Sequence, residues 1–142
     1  LTGNILDLGC GYGPIGLTIA QNSSQARIVL ADINSRALAL ASRSCAKLNL
    51  NSRVTCLQSD IFEKIEGPYD SIVVNPPIRA GKKVINQMFG GAKQFLIDGG
   101  SLYVVIRRKQ GAESALKYIE TVFENVSVLH KEKGYWIIKA TK

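Results

Sequence analysis

A single histidine, His130, is the only imidazole in the 142-residue sequence, and it lies in a strand-like run far from any nucleophile motif. That excludes multi-histidine metal sites and leaves a Ser-His-Asp triad only one candidate base. His130 is expected to be a surface or packing residue. Cysteine is almost as scarce. Cys10, Cys45 and Cys56 form an odd set without C-x-x-C spacing, which argues against a disulfide framework or a zinc site and fits a reducing cytosol. No metal is expected. Long hydrophobic runs are missing too. The longest, Ser101 to Ile106, has the length of a strand, far short of the ~20 residues that span a bilayer, so no membrane partner is expected. The chain opens Leu1-Thr2-Gly3-Asn4 with neither a basic signal-peptide region nor an initiator Met, and it is read as truncated just before its first strand.

What is present is an ordinary globular composition, 46% hydrophobic and 20% charged, in a length suited to one domain over residues 1–142. The charge is uneven. Residues 1–78 carry six bases and six acids, whereas residues 79–142 carry twelve bases and five acids, so the whole formal charge of +7 lies in the second half. Arg79, Lys82, Lys83 and Lys93 fall in a stretch without acids, and Arg107-Arg108-Lys109 follows. Any single run of this kind can be a solvated face. The asymmetry between the halves, with a pI near 9.5, also suits a polyanionic partner such as a nucleic acid.

Apolar strand-like runs alternate with helical patterns. Strands are predicted over Asn4–Leu8, Arg27–Ala31, Val54–Leu57, Tyr69–Val74, Ser101–Ile106, Val126–His130 and Tyr135–Ala140. Helices are predicted over Pro14–Asn22, from Asn34 or Ser35 to about Leu50, over Lys83–Leu96 with a stop at Asp98-Gly99-Gly100, and over Gly111–Phe123. Strands separated by helices or crossovers should be parallel, and the last two, joined by a short turn containing Gly134, should form an antiparallel hairpin. The fold class is therefore α/β: a Rossmann-like, seven-stranded, mostly parallel sheet with helices on both faces and a C-terminal antiparallel hairpin.

The strongest local signal is Asp7-Leu8-Gly9-Cys10-Gly11-Tyr12-Gly13, between the first strand and the first helix. Alternate glycines permit a tight turn and let a ligand lie against bare backbone, and the helix start offers free N–H groups. Such turns hold nucleotide cofactors at the carboxyl edge of open α/β sheets. Gly11 to Gly16 also fits the G-x-G-x-x-G dinucleotide pattern, with Asp32 about 20 residues on to grip ribose hydroxyls. These residues alone suit NAD or S-adenosylmethionine. Asp7 favours the second, because a carboxylate beside the glycines repels a pyrophosphate and attracts an ammonium or sulfonium. The next signal is Asn75-Pro76-Pro77-Ile78 after the fourth strand. Pro76 restricts Asn75 to extended backbone. The Asn75 side-chain oxygen and the Pro76 carbonyl then become two fixed acceptors suited to a planar NH2 group.

Together with Asp32 and Ser59-Asp60-Ile61-Phe62, these motifs resemble class I S-adenosylmethionine-dependent methyltransferases. More narrowly they are similar to the family of ribosomal RNA small-subunit methyltransferase C, which modifies the N2 amine of guanine. The resemblance covers the whole chain in the family's motif order. It implies that Asp7 and the backbone of Gly9, Cys10, Gly11 and Gly13 hold the methionine part of S-adenosylmethionine. Asp32 would take the ribose, Ile33 and Ile61 the faces of the adenine, and Asp60 its amine. Asn75, which would border the cofactor as well, acts with Pro76 and Pro77 on the acceptor amine. Ile78 stands where many members carry a Phe or Tyr that stacks on the target base, and Arg79 is expected to add its guanidinium plane. Lys82 and Lys83 should line the rim where RNA enters, the RNA being ribosomal RNA or a ribosomal subunit. The implied location is cytoplasmic.

The expected chemistry needs no general base. An exocyclic amine must be aligned with an activated methyl group and water excluded, and acceptors must meet the positive charge that grows on nitrogen. A base within a helix cannot reach such a site, so it must be flipped or single-stranded. Other readings stay open at this point: a methyltransferase for a protein glutamine amide or another amine, an NAD-dependent oxidoreductase, and a non-catalytic RNA-binding module.

Overall fold

A computed structural model describes residues 1–142. Its strands are β1 (Gly3–Leu8), β2 (Ala26–Asp32), β3 (Val54–Gln58), β4 (Tyr69–Val74), β5 (Leu96–Arg107), β6 (Asn125–Glu132) and β7 (Tyr135–Thr141). The helices are α1 (Pro14–Asn22), α2 (Ser35–Lys47), α3 (Lys82–Ala92) and α4 (Ala112–Val122). One sheet runs in the order β3-β2-β1-β4-β5-β7-β6. The first five strands are mutually parallel. β7 inserts antiparallel between β5 and β6, so the expected class and hairpin are both found. No helix is long and apolar enough to cross a membrane.

The strand alternation sorts the core into two layers. Ile5, Ile28, Leu30 and Val73 pack with Leu17 and Ala20 of α1 and with Leu38, Ala41 and Cys45 of α2. Leu6, Leu8, Ile72, Val74, Leu102 and Val104 pack with Met88 and Phe89 of α3 and Ile119 of α4. Successive side chains of a strand point to opposite faces, so β1, β2 and β4 feed both layers. Because β1, β2 and β4 are parallel neighbours, their carboxyl ends lie together on one edge of the sheet. The candidate motifs all sit on that edge.

Local chemistry fixes the helix ends. Pro14 opens α1 where its missing N–H costs nothing. The Asn34 side chain caps α2 by accepting from Arg36 N at 3.0 Å and Ala37 N at 3.1 Å. α2 ends at Lys47 rather than near Leu50. Asn49 enters the left-handed region at φ 57°, and Leu50 N and Asn49 N donate back to Cys45 O and Ala46 O, the paired bonds that close a helix through a left-handed residue.

The largest departure from the sequence pattern is at the fifth strand. α3 stops at Ala92, a 3-10 turn spans Lys93–Phe95, and β5 begins at Leu96, so Asp98-Gly99-Gly100 lies inside the strand instead of ending a helix. Leu96 is wholly buried and pairs with Tyr69 across the sheet, after which the register shifts to Ser71 opposite Ser101. Burial of Leu96 outweighs its helical spacing, and Gly99, at φ 81°, absorbs the resulting bulge. Gly91, near the end of α3, lets Phe62 pack closely: a Cβ there would meet Phe62 Cε2 at 2.5 Å, and the Phe62 ring stacks on Phe95 at 4.8 Å.

Candidate active site

The glycine turn is held from beneath by its own strands. Gly9 N and Cys10 N both donate to Ala31 O, at 2.8 and 2.9 Å. Gly9, Gly11 and Gly13 have φ of 69, 60 and 88°, a region costly for side chains with a Cβ. Space differs among them. A Cβ on Gly11 would meet nothing, whereas one on Gly13 would come within 3.0 Å of Leu30 Cδ1. The bare backbone at Gly11 therefore faces open space. Cys10 turns its side chain into the core and donates its thiol to Gly11 O at 3.2 Å. Burial, reinforced by Asp7, pushes that thiol well above its ordinary range, so Cys10 offers a neutral wall and no thiolate.

Asp7 lies under the turn, only 2% exposed. Its Oδ2 accepts from Gly16 N at 2.9 Å. Burial raises its pKa from 3.8 to about 7, with the Gly16 bond opposing the shift and Asp32 adding to it. Gly16 is required by proximity: a Cβ there would lie 2.3 Å from Leu30 Cδ2 and 2.9 Å from Asp7 Oδ2. Asp32 ends β2 with both carboxylate oxygens engaged. Oδ2 accepts from Gly11 N at 2.8 Å and Oδ1 from Asn34 N at 2.9 Å. The carboxylate thus joins the glycine turn to the start of α2.

Beside Asp32 opens a cavity of about 210 Å3 lined by Gly9, Ile33, Ser59, Asp60, Ile61 and Pro77, with Met88 and Val84 of α3 at its back. Ile33 is 61% exposed at its lip, so most of its apolar surface stays open. Ile61 is held at φ 52°, uncommon and strained for a β-branched residue. The buried Ser59 hydroxyl fixes this turn by donating to Ile61 O at 2.9 Å and accepting from Lys64 N at 3.0 Å. Of the residues expected at a cofactor, Gly9, Asp32, Ile33, Asp60 and Ile61 meet in this cavity. Asp7, Cys10, Gly11 and Gly13 form the turn beside it.

Asn75 belongs to a second cavity, of about 480 Å3, at the ends of β4 and β5. Asn75, Pro76, Pro77, Ile78 and Arg79 make one wall; Arg107, Gln110 and Tyr135 make the other. Pro77 lines both cavities, so the Asn-Pro-Pro turn is the partition between them. Pro76 is buried while Asn75 is exposed, which anchors the turn and leaves the amide free. Lys82 and Lys83 line neither cavity; they stand exposed in the first turn of α3. His130 is on the surface, paired with Glu132 at 2.6 Å. Arg107 belongs to the basic Arg107-Arg108-Lys109 run, but no sequence signature places it, Gln110 or Tyr135 beside Asn75. Arg107 and Tyr135 arrive through the pairing of β5 with β7, where they lie opposite each other, and Gln110 follows in the 3-10 turn after β5.

Comparison with known proteins gives this geometry its relatives. The family profile "Methyltransferase small domain" matches residues 1–139. The Bacillus subtilis protein YbxB, uncharacterized, is 46% identical over 99% of this chain and 70% of its own length. The ribosomal RNA small subunit methyltransferase C of Mannheimia succiniciproducens is 37% identical over 74% of this chain, but over only 32% of its own length. A solved Thermus thermophilus structure, the 16S rRNA N2 G1207 methyltransferase in complex with AdoMet and guanosine, superposes with a TM-score of 0.85 at 25% identity. It covers 100% of this chain and 38% of that one. The chain thus spans less than half the length of these two RNA methyltransferases. With the profile running through both cavities and nearly the full length of the sheet, the chain belongs to the methyltransferase small domain family.

Proposed function

We propose that this domain transfers a methyl group from S-adenosylmethionine to an exocyclic amine of a nucleobase, namely guanine N2 in ribosomal RNA. The observation that carries the reading is the partition: one Asn-Pro-Pro turn separates a cavity built around Asp32 and Asp60 from a second cavity with a basic wall. Two reactants held on either side of such a turn meet at Asn75. The resemblance to RNA methyltransferases, at 37% identity for one of them, supports the acceptor.

The residues present fit the cofactor. The backbone at Gly11 is open, the carboxylates of Asp32 and Asp60 accept from hydroxyl and amine groups, and Ile33 and Ile61 offer apolar faces for a purine. At about 210 Å3 the cavity is smaller than the ~300–1,000 Å3 of sites that enclose a whole ligand. It suits the adenosine end, and the methionine end would lie along the turn above Asp7. When bound, S-adenosylmethionine supplies an electrophilic methyl sulfonium. The chain does the rest. Asn75 Oδ1 and the Pro76 carbonyl accept from the two N–H bonds of the acceptor amine and turn its lone pair toward the partition. They also stabilise the charge that develops there, where stabilisation lowers the barrier. The proton then leaves to water without a protein base.

The test is incubation with labelled S-adenosylmethionine and small-subunit RNA prepared without the modification, beside a glutamine-containing protein substrate. Label in a guanine of the RNA is expected. Label in the protein substrate alone would move the acceptor to an amide, and label in neither would remove the activity.

Lys82 and Lys83 carry a second expectation. The first turn of α3 has no acid, and cations there oppose the helix dipole, so helix stability does not account for them. Arg79 lines the acceptor cavity, and Lys82 and Lys83 follow it in sequence as exposed cations that fit phosphates of an entering strand. Replacing Arg79, Lys82 and Lys83 together by Ala is expected to weaken RNA binding and to flatten its log–log salt dependence by up to about three units, roughly one per contact. Titrations at several salt concentrations measure this. A parent-like slope would make these side chains an ordinary solvated face.

A further inference from the structure

We propose that Tyr135 and Arg107 together form the stacking platform for the acceptor base, opposite Ile78. This inference rests on the nucleobase reading above and names the surface that positions the base. Ile78 gives the cavity an apolar contact but no ring, and base recognition in single strands depends on aromatic or guanidinium planes. The opposite wall supplies both. The Arg107 guanidinium lies over the Tyr135 ring, 4.8 Å from its centroid, and both residues line the cavity that contains Asn75.

Their position is built into the sheet. Arg107 and Tyr135 are the last cross-strand pair of β5 and β7. Arg108 N donates to Gly134 O at 2.8 Å and ties the end of β5 to the hairpin turn, while Gly134, at φ 81°, turns the chain into β7, whose first residue, Tyr135, shares a cavity with the Asn-Pro-Pro turn. Tyr135 nevertheless stays 40% exposed, outside both core layers, so packing does not require a ring at this position. The side chain of neighbouring Gln110 makes no hydrogen bond within the chain and keeps donors and an acceptor for the edge of a stacked base. The flat pair is also cationic, which suits a base that arrives with its phosphate.

Steady-state kinetics with unmodified small-subunit RNA, across Tyr135→Leu, Tyr135→Phe and Arg107→Lys, tests the platform. Tyr135→Leu keeps apolar bulk but no plane; it is expected to raise KM for RNA about tenfold or more. Its cofactor Kd and melting temperature should stay at the parent's values. Tyr135→Phe should restore the parent's KM. Arg107→Lys, which keeps the charge and loses the plane, should raise KM by a smaller factor. An active parent with Tyr135→Leu at the parent's KM would overturn the platform alone, and so would a Phe variant as impaired as Leu. A parent that transfers no methyl group to RNA would overturn the nucleobase reading, and the platform with it.

Discussion

Replacing Asn75 by alanine is expected to lower turnover about a hundredfold or more while leaving the cofactor Kd nearly unchanged. The size follows from what one fixed, charge-stabilising group contributes at a transition state, about 3 kcal/mol. The structure separates the two effects. Asn75 lines the acceptor cavity and is not among the residues of the Asp32 cavity, so its amide should matter little to cofactor affinity. It is also exposed, at the end of a strand whose preceding residue, Val74, is fully buried. Truncation therefore leaves the core intact, and a melting curve close to the parent's is expected. Asn75→Asp keeps an acceptor oxygen and should retain more turnover than Ala. Single-turnover kinetics with saturating cofactor measures the chemical step. A rate for Asn75→Ala within a few-fold of the parent would leave Asn75 only the task of shaping the turn.

Much of this site was legible in the sequence because its parts are short-range backbone chemistry. Alternate glycines after a strand dictate a tight turn whatever the rest of the chain does. Asn-Pro-Pro at a strand end dictates a rigid one, and both stand where the pattern placed them. Asp32 was visible as the acid ending the second strand, yet its bonds to Gly11 N and Asn34 N show a second, structural task that spacing does not reveal. The illegible parts are those fixed by distant partners. The start of β5 reads as helix because Leu96 keeps helical spacing, and only its pairing with Tyr69 decides otherwise. Tyr135 and Arg107 lie 28 positions apart in the chain and meet through strand register, which no local motif encodes. Gly16 fitted a dinucleotide pattern by spacing. In the structure its lack of a Cβ serves close packing on Leu30 and Asp7.

Asp7→Asn is expected to make the ligand-free protein more stable at pH 8, by up to about 4 kcal/mol, and to have little effect at pH 4. The folded-state pKa of Asp7 is about 7, against an ordinary 3.8. Between those values the folded chain holds a proton that the unfolded chain has lost, so stability falls as pH rises through this window. The ceiling corresponds to about three units at about 1.4 kcal/mol each; water reaching the buried carboxylate would reduce it. The isosteric amide still accepts from Gly16 N and never ionises, which removes the penalty. Urea unfolding of parent and variant at pH 5 and pH 8 measures the difference. Equal losses of stability across that range would acquit Asp7. Its burial cost makes sense if the charge is used when ligand binds. An ammonium or sulfonium above the turn favours the ionised carboxylate, so the parent's affinity for S-adenosylmethionine should rise as pH approaches 7 from below. The variant should bind more weakly at pH 7 without that rise, and it controls for titration of the ligand itself. Parallel pH profiles for parent and variant would mean that Asp7 supports the turn through Gly16 and takes no part in holding the cofactor's charge.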